Sequence, residues 1–322
     1  MYSRSGERKA GQGGSLSSEP DAPARGCPGD VGAGDRAGPF AAGSGTGRLW
    51  SHSARALPAL GGTGADHPQI YSRPRGGRGH RQSGSRPGRP VKRFFKDVSV
   101  APAGEAYGVL LDGRPVKTPQ RNALAVPTSR LAEAIAAEWA AQQEDIVPAS
   151  MPLTGLAQGA LDQVASERDR IVGRIAAFAD SDMLYYRADS GQQALIDHQA
   201  ERWDPLLDWA QNRYDVSFNL IHGIRYQSQP VATIERLTKM VEVQDDFAVA
   251  AMLSLVGLSG SLIATLALVE QTHSPETLWP LVNLEELWQE QQWGRDDQAF
   301  AAREIKRAEV EAATRFLDLS RT

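Results

Sequence analysis

The amino-acid sequence changes character near residue 91, and this break confines any sizeable core to its C-terminal side. Residues 1–91 hold 20 of the 31 glycines and 9 of the 19 prolines. Of 35 Lys and Arg and 39 Asp and Glu in all, 13 and 6 fall in this stretch, leaving 22 and 33 after it. The net charge therefore turns from +7 to −11 across the break. The large apolar residues before it, such as Leu49, Trp50, Leu57 and Leu60, follow no sustained period. Such a chain buries too little apolar surface to offset the entropy lost on folding, so residues 1–91 are expected to form a disordered Gly/Pro/Arg-rich tail.

The tail offers little chemistry. Its glycine run Gly43–Gly47 has no preceding apolar strand and no following periodic helix, so it reads as composition rather than a phosphate loop. The basic run from Arg73 to Arg89 lacks a fold to present base-reading groups, and the body is acidic, so no nucleic-acid partner is expected. No continuous apolar stretch near Met1 marks a secretory signal, and the Gly and Pro density opposes an import helix. The single cysteine, Cys27, lies in the tail, so the body has neither a disulfide nor a thiolate.

The body reads as α+β: a small β-rich N-terminal domain, residues 92–152, followed by a larger multihelical domain, residues 153–322. Val98–Val100 and Tyr107–Leu111 have strand character, and Asp112-Gly113 is a tight-turn signal. Pro115, Pro119 and Pro127 limit strand length, so a small, mostly antiparallel sheet is expected. Thr128 is placed to cap a helix with Leu131, Ile135 and Trp139 on one face. Further helices are expected near 153–165, 167–180, 192–212, 230–243, 247–256, 259–270, 275–292 and 297–317. Ile305, Ala308, Ala312 and Phe316 form a stripe in the last, and Val216–Ile221 reads as a strand returning to the sheet. Phe247 to Val269 carries no charge over 23 residues. Two glycines and two serines in its middle, with no basic flank, predict two core helices rather than a membrane span.

A search for chemistry finds few candidates. His198, His222 and His273 sit in no metal-ligand spacing, so neither a metal nor a cofactor is expected. Asp204 and Asp208 lie one helical turn apart and are the best acid–base pair, the alternative reading being an enzyme. The plainer reading makes Asp204 and Pro205 a helix start. In Leu284–Gly294, Leu281, Leu284, Leu287 and Trp288 predict a buried face, with Glu285, Gln289 and Trp293 beside it at spacings of four. Gly294 suits the helix end. A carboxylate, an amide and an indole in a row read equally as a protein-interaction patch or as a solvated edge with Trp293 tucked under the last helix.

Lys92–Val100, Gly108–Pro119 and Met151–Thr154 resemble the N-terminal signature of the chaperone family that assembles the alpha subunit of F(1)-ATPase in mitochondria and α-proteobacteria. Leu184–Arg187, Trp203–Leu207 and Leu284–Gly294 resemble its C-terminal signature. The resemblance implies a molecular chaperone, not an enzyme, that binds the unassembled alpha subunit and promotes assembly of the ATP synthase catalytic head. It implies Glu285, Gln289, Trp293 and Gly294 as the partner-binding residues; where Leu287 stands, the family often carries another acid. It begins at Lys92, and a valine codon such as that of Val91 can start a bacterial gene. Residues 1–90 are therefore expected to be a start-site artefact or a dispensable tail. A monomer in the bacterial cytoplasm is expected, with the mitochondrial matrix as the alternative. A generic interaction scaffold is the remaining reading.

Overall fold

The polar chain between Lys92 and Val126 becomes sheet through turn geometry. A computed structural model describes residues 91–321; the expectations for residues 1–90 lie outside the described residues. Strands β1 (Val91–Lys92), β2 (Val98–Ala103), β3 (Ala106–Leu111), β4 (Arg114–Pro115) and β5 (Ala125–Val126) come first. Gly104, at φ +69°, opens the two-residue turn between β2 and β3, whose register pairs Ala103 with Ala106. Asp112 and Gly113 both take positive φ, the backbone a two-residue hairpin requires, and join Leu111 to Arg114. The Asp112 carboxylate also accepts from the Lys96 and Asp97 backbone N–H groups at 2.9 and 2.8 Å. β5 pairs antiparallel with β3, completing the mostly antiparallel sheet read from the sequence.

Helix α1 (Ser129–Ala140) packs on β2 and β3. Thr128 caps it by accepting from the Leu131 N–H at 3.1 Å, and Leu131, Ile135 and Trp139 are buried. After β6 (Asp145–Ile146), which pairs with β1, Glu138 on α1 caps the next helix by accepting from the Leu153 and Thr154 N–H groups, each at 2.8 Å. That element runs as α2 (Pro152–Gln158), a π-helical stretch (Gly159–Val164) and α3 (Ala165–Ala176). On the π stretch the buried Asp162 accepts from the Thr118 hydroxyl, the Gln120 N–H and the Asn122 amide. It thereby fastens the loop after β4 to the helices.

The remaining elements are α4 (Phe178–Ser181), β7 (Tyr186–Arg187), α5 (Gln193–Tyr214), β8 (Ile221–His222), α6 (Val231–Glu242), α7 (Asp246–Ser259), α8 (Leu262–Val269), α9 (Pro275–Val282), α10 (Leu284–Trp293) and α11 (Asp297–Ser320). The fold is α+β, small sheets followed by a helical body. One apolar core continues from Phe95 on the β side to Leu317 on α11.

Several expectations give way to tertiary context. Asp204 and Pro205 sit inside α5, not at its start; Pro205 is exposed, and lacking an N–H it cannot donate to the Glu201 carbonyl one turn before. The strand expected over 216–221 shrinks to Ile221–His222 and pairs parallel with β7, away from the β2–β5 sheet. On α11 the stripe beginning at Ile305 fails: Ile305 is 64% exposed, while Val310, Ala313, Phe316 and Leu317 are buried. The helix expected over 275–292 breaks at Asn283, whose side-chain amide bonds the Trp279 carbonyl at 2.8 Å beside its own backbone N–H at 3.2 Å.

The charge-free stretch folds as α7 and α8, joined at Gly260 with φ +69°. All eight residues of α8 are buried, against α4, α5, α7, α9 and α11. Among the described residues no helix is long and apolar enough to cross a membrane. A helix start this deep needs internal acceptors for its free N–H groups. Ser261 supplies one, accepting from Ala264 N–H at 2.9 Å. Asp182, fully buried, supplies the other by accepting from Ile263 N–H and the Ser261 hydroxyl at 2.9 Å and from Leu184 N–H at 3.0 Å.

Burial pushes the Asp182 carboxyl up to about 6, against the pull of the hydrogen bonds from Ile263, Leu184 and Ser261. A raised carboxyl favours the folded state when protonated, so this contribution is complete below the ordinary carboxylate range and is lost as pH rises through about 6. Urea unfolding between about pH 4 and pH 7 should show the wild type losing on the order of 2–3 kcal/mol relative to Asp182→Asn, which cannot titrate. A pH-independent difference between the two proteins would contradict this origin of the shift. Asp182→Ala, which strands three donors, should destabilise the chain by about 3 kcal/mol or more at any pH.

Candidate functional site

Helix α10 has two unlike sides. Glu286 and Glu290 face α11, where the buried Arg303 guanidinium lies 3.1 Å from Glu286 and 2.8 Å from Glu290. Leu284 is buried, and Trp288 packs on the His198 ring at 5.1 Å between centroids. Leu281 and Leu287 are half-buried, so the expected buried face is narrower than the spacing implied. With these groups committed inward, Glu285, Gln289 and Trp293 fall on the solvent side, all exposed. Trp293 is 79% exposed, the largest apolar side chain of the described residues left so open. Gly294, at φ +89° and ψ 164°, stops the helix in a backbone region that essentially only glycine enters.

Glu285 is held from below. Gln199 on α5 is fully buried, and its Oε1 accepts from the Ala188 N–H at 2.8 Å. That bond settles which way the amide points, so its Nε2 donates to Glu285 Oε1 at 2.7 Å. Glu285 also lies in the first turn of α10, where a negative charge suits the helix dipole. Neither Gln199 nor Arg303 stands out in the sequence. Gln199 was detectable as a polar residue four before Trp203 on an otherwise apolar face of α5; nothing in local spacing marks Arg303.

The acid–base pair does not assemble. Asp204 bonds Arg187 at 2.6 Å, and that guanidinium has a side-chain exposure of 2% and lies over the Trp203 ring. Asp208 is exposed, with the Gln211 amide 3.5 Å away. One carboxylate thus neutralises a buried cation and the other is solvated, leaving no shared proton for acid–base work. His198 packs on Trp288, His273 lies against Trp209, and His222 is exposed on β8. Among the described residues no group of three or more His, Cys, Asp or Glu is placed to hold a metal ion.

These contacts separate anchor from exposed face by stability. Asp204→Ala should cost about 3 kcal/mol because it strands the Arg187 charge, and Asp208→Ala should stay within about 0.5 kcal/mol. Glu285→Ala should cost about 1–2 kcal/mol through the stranded Gln199 amide, and Trp293→Ala under about 0.5 kcal/mol. Urea denaturation measures all four, and equal losses at Asp204 and Asp208 would contradict the assignment.

Residues 92–211 match the family described as ATP12 chaperone protein. The chain is 26% identical over 219 residues to "Protein atp12, mitochondrial" of Schizosaccharomyces pombe, covering 63% of this chain and 74% of that protein. The crystal structure of Atp12 from Paracoccus denitrificans superposes with a TM-score of 0.69 at 37% identity, covering 72% of this chain and 99% of that one. The Atu1473 protein of Agrobacterium tumefaciens gives a TM-score of 0.68 at 36% identity over 70% of this chain and 85% of its own. The relatives span most of their own length on this body, which carries each motif read from the sequence. The chain belongs to the ATP12 chaperone family, a family of ATP synthase assembly factors and not of enzymes.

Proposed function

We propose that the chain binds the unassembled alpha subunit of F(1)-ATPase and shields its apolar subunit interface until the beta subunit covers it. The contact we assign is the solvent side of α10, with Glu285, Gln289 and Trp293 as its stripe and Gly294 setting where the helix ends. The observation carrying this reading is Trp293, 79% exposed on a helix whose other side is tied down by buried Arg303. An indole held open on a rigid helix supplies contact area at little entropy cost, the usual composition of a binding hot spot.

The mixed chemistry of the stripe fits a temporary partner. Trp293 provides apolar area, while Glu285 and Gln289 demand complementary polar groups and penalise a wrong register. A client held this way stays displaceable by a subunit offering a larger, drier interface. The acidic body and its family suit work in solution as a monomer. The bacterial cytoplasm is favoured over the mitochondrial matrix by the higher identity to the Paracoccus and Agrobacterium proteins than to the yeast one.

Refolding purified alpha subunit by dilution, followed by light scattering, tests the proposal. The wild-type chain should suppress aggregation at equimolar ratio, and Trp293→Ala should weaken capture by about tenfold or more while its own stability is retained. Failure of the wild type to protect alpha would refute the chaperone assignment. Protection by the wild type and by Trp293→Ala alike would refute the stripe alone.

A further inference from the structure

Two stretches that resemble the family signature, Lys92–Lys96 and Leu111–Lys117, take no part in the α10 stripe, yet they converge. The segment between β1 and β2 brings Phe94 and Phe95, the β3–β4 hairpin and the residues just after it bring Leu111, Arg114, Val116 and Lys117, and α1 brings Trp139. They border a cavity of about 440 Å³, within the size range of pockets that take a small ligand or the side chains of a bound peptide. Its floor is apolar: Phe95, Leu111, Val116 and Trp139 are all buried, with Phe95 packed edge-on against Trp139 at 5.8 Å.

The mouth has a different chemistry. Phe94 stands 69% exposed, edge-on to Phe95 at 5.5 Å. Arg114 and Lys117 are exposed, and neither makes an ion pair or side-chain hydrogen bond among the described residues; Asp112 also lines the mouth, but its carboxylate is taken up by the Lys96 and Asp97 N–H groups. The two cations stand apart from the net acidic character of the body. A second, independent observation comes from the floor. The Trp139 Nε1–H is buried and has no acceptor among the described residues, in a side chain only 8% exposed. Buried indole N–H groups almost always find a partner, so this one is a spare donor just behind the cavity's lining, reached only if the Trp139 ring turns.

We infer that this cavity binds an extended, acidic-apolar peptide segment of a partner protein. An apolar side chain of that segment fills the floor against Phe95 and the Trp139 ring, and a carboxylate meets Arg114 and Lys117 at the mouth. Charge selects this occupant over the chain's own N-terminal stretch, which carries 13 basic against 6 acidic residues and would set cation against cation. The site shares no residue with the α10 stripe, and its occupancy is read on the isolated chain without the alpha subunit.

The test is a titration of the ¹⁵N-labelled full chain, following the indole N–H resonances of its 7 tryptophans. Trp139→Phe, which keeps an aromatic wall, identifies the Trp139 signal. The probes are a dodecapeptide of Glu alternating with Leu and Phe, its counterpart with Lys for Glu, and a peptide of residues 73–89. The Glu peptide should move the Trp139 signal, through the changed surroundings of its ring, and saturate it. The Arg114→Glu, Lys117→Glu double variant, altered only at exposed positions, should weaken that binding by about tenfold or more. No saturable shift, equal binding of the Glu and Lys peptides, or preference for the 73–89 peptide would each overturn the inference.

Discussion

The body is organised around the buried start of α8. An eight-residue helix enclosed by five others exposes its first N–H groups to no water, and those groups must find acceptors within the protein. Asp182 meets this need from the turn before β7, bonding Ile263, Ser261 and Leu184 at once. Because these donors lie on segments about 80 residues apart in sequence, one carboxylate fixes the helical body's two halves in register. Ser261 completes the arrangement by capping the same helix from its own side chain.

The same device recurs outward from that centre. Glu138 caps α2, Asp162 holds the loop after β4, and Asp180 receives the Tyr226 hydroxyl, the Ser228 hydroxyl and the Gln229 N–H. Burial pushes the Asp162 and Asp180 carboxyls up, but the hydrogen bonds from Thr118, Gln120 and Asn122, and from Tyr226, Gln229 and Ser228, outweigh it and hold both below the ordinary range. Carboxylates held ionised by backbone and hydroxyl donors brace loops against helices; they are poor proton shuttles. This agrees with membership of a chaperone family, whose work is contact rather than bond-making.

Rigidity of this kind has a functional consequence at the surface. Arg303 ties Glu286 and Glu290 to α11 and Gln199 steadies Glu285, so α10 presents a defined face and not a mobile one. Preorganisation lowers the ordering cost of binding, which matters when a client must be caught before it aggregates and later given up.

Much of this was legible in the sequence because it depends on neighbours within a few residues. The Asp112-Gly113 turn, the Thr128 cap, the apolar face of α1 and the glycine that parts α7 from α8 follow from local geometry and period. So does the alignment of Glu285, Gln289 and Trp293 at spacings of four along one helix, although the openness of Trp293 was decided by packing. Tertiary structure alone decided which charges are spent internally. Asp204 became the partner of Arg187, Pro205 was absorbed into α5, β8 paired with β7, and the buried face of α11 turned away from Ile305. Each depends on a residue far away in the chain, whose position no local period encodes. Periodicity says which side of an element is apolar, but only packing says what that side, and each charge beside it, will meet.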